Sequence, residues 1–180
     1  GVVRGRRTHF RGQVVMGHRP VLKRGQGTLP TSLTGARARS IYHLARDPVA
    51  LGPLFCRADW VYVGHDSVEG LVRAPRLRDV FRDLTSPLFQ LDPLLLDTAF
   101  QVAANWDGHH LGVVSIPMGV GRIVVGRARE LGEGAHVKAR PLAEDGNEVF
   151  YDLDVLGEDG GLLLKVERLW LRRLEPSTAK

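Results

Sequence analysis

LDPLLLDTAFQVAANW, Leu91–Trp106, is the stretch from which the rest of the chain can be placed. Asp92 reads as a helix cap, and Pro93 follows at the first helical position, where a missing N–H costs nothing. Beyond them, Leu94, Leu95, Leu96, Ala99, Phe100, Val102, Ala103 and Ala104 leave the helix apolar on nearly every side. That is the pattern of a helix buried in a core. Two polar residues interrupt it. Asp97 and Gln101 stand four residues apart and so share one face. Burying a carboxylate and an amide is unfavourable unless each finds a partner. Two readings are open: a polar stripe meeting solvent, or a carboxyl group held in an apolar pocket, its pKa raised until it can give up a proton.

Downstream of the helix, Asp107–His110 reads as a polar exit, with His109 and His110 in a solvated loop. Strand after strand follows: Val113–Pro117, Val120–Arg129, His136–Leu142, Glu148–Leu156 and Leu162–Leu174. Turn residues at Gly132–Gly134, Glu144–Asn147 and Glu158–Gly161 separate them, which predicts an antiparallel meander. Within Val149–Leu156, strict alternation puts Phe150, Asp152 and Asp154 on one face and Tyr151, Leu153 and Val155 on the other. Upstream, Arg57–Val63 and Val68–Val72 form a hairpin turned at Gly64–Ser67. Trp60 and Tyr62 share one of its faces and read as core or interface residues. A strand over His9–Met16, a helix over Gly35–Asp47 stopped by Pro48, and a short helix around Leu77–Leu84 complete the chain. One long apolar helix ahead of a curved antiparallel sheet is most simply buried by wrapping the sheet around the helix. This α+β arrangement is the hot-dog fold.

The 180 residues fit one domain, 1–180, with the ordinary balance of a globular protein: 43% hydrophobic and 25% charged. No apolar run approaches the roughly 20 residues that cross a bilayer, and no leader pattern follows the basic first residues. The expectation is a cytoplasmic chain with no membrane partner. The single cysteine, Cys56, excludes an internal disulfide and reads as a small buried hydrophobe. The histidines show no ligand spacing, so no metal is expected. A net charge of +5 favours acidic partners. No basic run is interleaved with aromatics, which argues against nucleic acid.

Four pieces of the chain, in order, resemble the second half of the dehydratase domains of polyketide and polyunsaturated fatty acid synthases. Gly52-Pro53-Leu54-Phe55 is similar to that family's Gly-Pro-x-Phe turn. Asp97 and Gln101 match its Asp-x-x-x-Gln motif within Phe89–Gln101. Ile116-Pro117 followed by Val120–Val125 resembles its Leu-Pro and strand segment, and Asp159-Gly160-Gly161-Leu162-Leu163 its closing hairpin. The chain departs from the family at Leu51, where Tyr or His is usual, and at Cys56, where Gln is usual.

The resemblance implies half of a double hot dog, the C-terminal half of a dehydratase domain. It implies Asp97 as the acid or as the group that holds the hydroxyl, Gln101 orienting Asp97 or contacting the substrate hydroxyl, and Gly52, Pro53, Phe55, Phe100 and Pro117 around the substrate. It implies no cofactor of its own, the substrate being carried on the phosphopantetheine of an acyl carrier protein. The family's catalytic base lies in His-x-x-x-Gly-x-x-x-x-Pro, a pattern that His9, His18, His43, His65, His109, His110 and His136 all fail. A second hot-dog half, or a homodimer partner, is therefore expected beside this one. Arg122, Arg127 and Arg129 are candidates for an edge that meets the acidic carrier. Two other functions fit the same residues: a non-catalytic hot-dog domain that binds acyl chains or forms an interface, and a homodimeric hot-dog thioesterase or hydratase.

Overall fold

The computed structural model describes residues 12–13, 55–73, 91–127 and 133–174. Strands β1 (Ala58–Val63) and β2 (Val68–Arg73) precede helix α1 (Pro93–His110), which is followed by β3 (Ser115–Val125), β4 (Gly134–Asp145), β5 (Glu148–Gly157) and β6 (Leu162–Arg173). They form one six-stranded sheet in the order β1-β2-β4-β5-β6-β3, every neighbouring pair antiparallel. Helix α1 packs on one face and touches all six strands, β2 most closely. This is the hot-dog arrangement. The expected strand over His9–Met16 and the helices over Gly35–Asp47 and Leu77–Leu84 lie outside the described residues.

The register explains the core. Val68, Gly70 and Val72 of β2 sit opposite Ala139, Val137 and Ala135 of β4, which in turn face Leu153, Val155 and Gly157 of β5. With Leu164, Val166, Leu169 and Leu171 of β6, these side chains close over Leu95, Ala99, Val102 and Ala103 of α1. Gly70 is where helix and sheet come nearest: a Cβ there would stand 2.7 Å from Val102 Cγ2. Val102 is β-branched on a helix and has little freedom to turn aside, so glycine is what admits the helix. Phe150, Asp152 and Asp154 remain half-buried on the other face, as the alternation predicts.

Two elements differ from the sequence expectation. Helix α1 runs on through Asp107–His110, and the Leu111 N–H closes its last turn on the Asp107 carbonyl. Asp107 is thus a buried helix residue, with His109 and His110 in the final turn and not in a loop. The expected strands Val113–Pro117 and Val120–Arg129 are a single strand, β3, with an irregularity between Pro117 and Gly119. Gly119 passes against the Trp170 ring, where a Cβ would approach to 3.2 Å. Proline at Pro141 falls where, among the described residues, β4 has run past its pairing with β2, which ends at Ala139, and where its register with β5 shifts between Pro141 and Ala143.

The outer face carries a cross-strand row of charge. Glu69 of β2 lies opposite Lys138 of β4, which faces Asp154 of β5 and then Lys165 of β6. Glu69 Oε1 is 2.8 Å from Lys138 Nζ, and its Oε2 is 3.1 Å from Nε2 of the buried His136, which sits beside the Trp60 ring. His136 is the main influence holding the Glu69 carboxyl down to about 2 from 4.5; burial opposes it and Lys138 adds to it. A depressed carboxyl stabilises the fold above its unfolded pKa, and that stability is lost as pH falls through the folded one. Acid titration of unfolding should therefore show stability being lost as pH falls from the ordinary carboxylate range toward the folded value. Glu69→Gln should flatten that limb. A variant as acid-sensitive as the parent would show that another group is responsible.

Candidate active site on the outward face of the helix

Helix α1 is held at its start by Asp92, whose Oδ1 accepts from the N–H groups of Leu94 at 3.0 Å and Leu95 at 3.2 Å. Pro93 opens the helix without a donor to satisfy. With this end fixed, Leu95, Ala99, Val102 and Ala103 lie in the core against the sheet, Phe100 and Ala104 pack on its margin, and the wheel turns Asp97 and Gln101 to the opposite side. Asp97, Phe100, Gln101 and Ala104 are all half-buried.

Asp97 and Gln101 are brought together. Gln101 Nε2 donates to Asp97 Oδ2 at 2.6 Å and to the Phe55 carbonyl at 3.1 Å. One amide thus ties the carboxyl to the segment entering β1. Burial pushes the Asp97 carboxyl above the usual carboxylate range, and the Gln101 bond draws it part of the way back. Desolvation disfavours the anion, so the group keeps its proton to higher pH than an exposed aspartate does. With Oδ2 held by Gln101, Oδ1 is left to carry that proton. A positioned carboxylic acid of this kind can protonate a leaving hydroxyl.

The remaining candidates sit as follows. Phe55 supplies its carbonyl to Gln101, while its ring is exposed. Phe100 flanks Asp97 on the helix and packs partly on the core. Pro117 is exposed on β3, at the opposite edge of the sheet from β1. Gly52 and Pro53, with Leu51, lie outside the described residues, and Cys56 is half-buried. Among the described residues, no group of three histidine, cysteine or carboxylate side chains could hold a metal ion, and no helix is long and apolar enough to cross a membrane.

None of the described histidines is hydrogen-bonded to Asp97. His136 is on the outer face of the sheet, His65 is exposed beside Asp66, and His110 meets the Gly64 carbonyl at the far end of α1. Of the three arginines proposed for a docking edge, Arg127 is bound to Glu133 and Asp159, and Arg122 stands near Glu167 at 3.5 Å. Arg129 lies outside the described residues. Arg127 is therefore a clasp between the end of β3 and the β5–β6 turn, not a free docking charge.

Sequence reasoning missed a second polar centre. Asp107, fully buried, accepts from Ser115 Oγ and from Arg173 Nε and Nη2, the last two at 3.0 and 2.9 Å. Arg173 also grips Glu144 at 2.9 and 2.8 Å. The signal was present: Ala99, Ala103 and Asp107 are spaced by four, so a helix continued by one turn carries Asp107 onto the buried face.

A family model described as the polyketide synthase dehydratase N-terminal domain matches residues 22–179. No curated protein matches the chain by sequence. Among solved structures, the bifunctional dehydratase-cyclase domain in ambruticin biosynthesis is 19% identical with a TM-score of 0.59, over 79% of this chain and 49% of that one. A trans-acyltransferase polyketide synthase enoyl-isomerase is 18% identical with a TM-score of 0.58, over 73% and 50%. The dehydratase domain of RzxB from Pseudomonas fluorescens is 20% identical with a TM-score of 0.53, over 67% and 42%. At these identities the likeness is one of fold. The chain spans about half the length of the structures it matches, from 42% to 50%.

Proposed function

The chain belongs to the polyketide synthase dehydratase family, and from that membership we propose that it is the acid-bearing half of a dehydratase acting on 3-hydroxyacyl thioesters. The observation that carries this reading is Asp97, half-buried on an apolar helix, oriented by Gln101 and biased toward its protonated form. In the reaction a base removes the proton on C2 and the electron pair forms the C2=C3 double bond. The C3–O bond breaks as Asp97 gives its proton to the departing hydroxyl, which leaves as water. Gln101 fixes the carboxyl on Oδ2 while Oδ1 delivers the proton.

The base is assigned to a histidine of a second hot-dog half, because every histidine of this chain departs from the family's base pattern. The half-length coverage supports the same arrangement. The matching family model is named for the N-terminal domain; the C-terminal assignment rests on the Asp97–Gln101 motif and on seven histidines that all lack the family's base pattern. Strand β3 offers the place for a companion. Among the described residues it is an edge strand, 11 residues long, with Met118 and Val120 exposed at 39% and 38%. An apolar edge of that length is a template for pairing. The substrate would arrive on the phosphopantetheine arm of an acyl carrier protein.

The test is reconstitution. The chain is mixed with a His-bearing half, and formation of the conjugated enoyl thioester is followed by ultraviolet absorbance. Turnover should require both halves. Turnover of acyl thioesters by this chain alone would instead favour a homodimeric hydratase or thioesterase. Carrier binding with no turnover in any combination would favour a non-catalytic domain.

A further inference from the structure

The outward face of α1 has a third polar residue that the proposed reaction does not use. Asn105 continues the row of Asp97 and Gln101 by one more turn, and it is half-buried. Its Nδ2 donates at 2.8 Å to the Gln101 carbonyl, an oxygen of the helix's own backbone. This bond ties α1 to no other element. Alanine would suit an interior helical position better, so helix formation does not account for the residue. Among the described residues the Asn105 side-chain oxygen has no partner, although the residue is half removed from water. An acceptor placed so, in line with a proton donor two turns away, is suited to a donor on the molecule that Asp97 serves.

Spacing identifies that donor. Eight residues of helix separate Asp97 from Asn105 by about 12 Å along the axis. In a 3-hydroxyacyl pantetheine thioester, ten bonds lead from the hydroxyl-bearing carbon to the nitrogen of the outer amide of the arm. At the rise of about 1.2 Å per bond of an extended chain, this is also about 12 Å. The inner amide, six bonds away, falls short at about 7 Å. We infer that Asn105 Oδ1 accepts a hydrogen bond from the outer amide N–H of the pantetheine arm and so sets the position of the arm along the helix. This rests on the dehydratase reading of Asp97.

Two probes separate the roles: the pantetheine thioester of 3-hydroxybutanoate, which has both amides, and the N-acetylcysteamine thioester, which keeps only the inner one. Binding to the full chain is measured by calorimetry, with the side-chain amide signals of Asn105 followed by NMR. Asn105→Ala should weaken the pantetheine thioester about fivefold to tenfold, the worth of one hydrogen bond, and leave the shorter probe unchanged. Asn105→Asp, which keeps the acceptor, should restore the tighter binding. The pantetheine probe alone should move the Asn105 signals. Equal weakening of both probes, or of neither, overturns the assignment and leaves the role of Asp97 standing. If neither probe binds the unmodified chain, the dehydratase reading falls and the assignment of Asn105 falls with it.

Discussion

Asp97→Asn should lower dehydration by the reconstituted halves about a hundredfold to ten-thousandfold, the range expected when a positioned general acid is lost. Asparagine keeps the shape and can still meet Gln101, but it has no proton to give. The same substitution should leave the fold as stable as before or more so. Burial raises the folded-state pKa of Asp97. A carboxyl raised in this way binds its proton more tightly when folded, so folding loses stability as pH rises through the unfolded and then the folded value. Asparagine removes that loss at neutral pH. The paired measurement is turnover together with urea unfolding at neutral pH. A variant that loses activity only because it unfolds would sink the reading, and so would one that turns over normally. The pH–rate profile adds a check of sign: activity that needs protonated Asp97 should decline on the alkaline side, and its midpoint should lie above that of an ordinary aspartate.

Asp107→Ala should destabilise the protein by about 3–5 kcal/mol, the penalty for leaving one member of a buried ion pair uncompensated. Asp107 has no solvent exposure, and the Arg173 side chain is 13% exposed. The pair joins the last turn of α1 to the end of β6, Ser115 brings in the start of β3, and Glu144 brings in β4. An acidic side chain near a helix C-terminus is opposed by the helix dipole, so this carboxylate depends on Arg173. Removing Asp107 leaves the guanidinium with Glu144 alone, which is 56% exposed. Chemical unfolding of Asp107→Ala, Arg173→Met and the double variant measures the coupling. The double variant should be less damaged than the sum of the two singles, because neither charge is then stranded. Additive losses would show that the two groups act independently.

The helix, the hairpins and the face that each strand buries follow from local sequence pattern. Asp92 and Pro93 mark where α1 begins, and the alternation in β5 separates Tyr151, Leu153 and Val155 from Phe150, Asp152 and Asp154. These are local matters, set by capping geometry and by a side-chain period of two. The pairing of Asp97 with Gln101 was legible for the same reason, since a spacing of four is fixed by the helix itself. Packing of the folded chain is what brings Gln101 to the Phe55 carbonyl, 46 positions away in the chain. It also decided that Arg127 is occupied by carboxylates, that His136 lies on the far side of the sheet from Asp97, and that Asp107 is buried where a polar exit was expected. Each depends on partners distant in sequence, and a charged residue next to a helix end reads as solvated until its counter-ion is located. For Asp107 that counter-ion is Arg173, 66 positions further on and brought alongside by the return of β6 across the sheet.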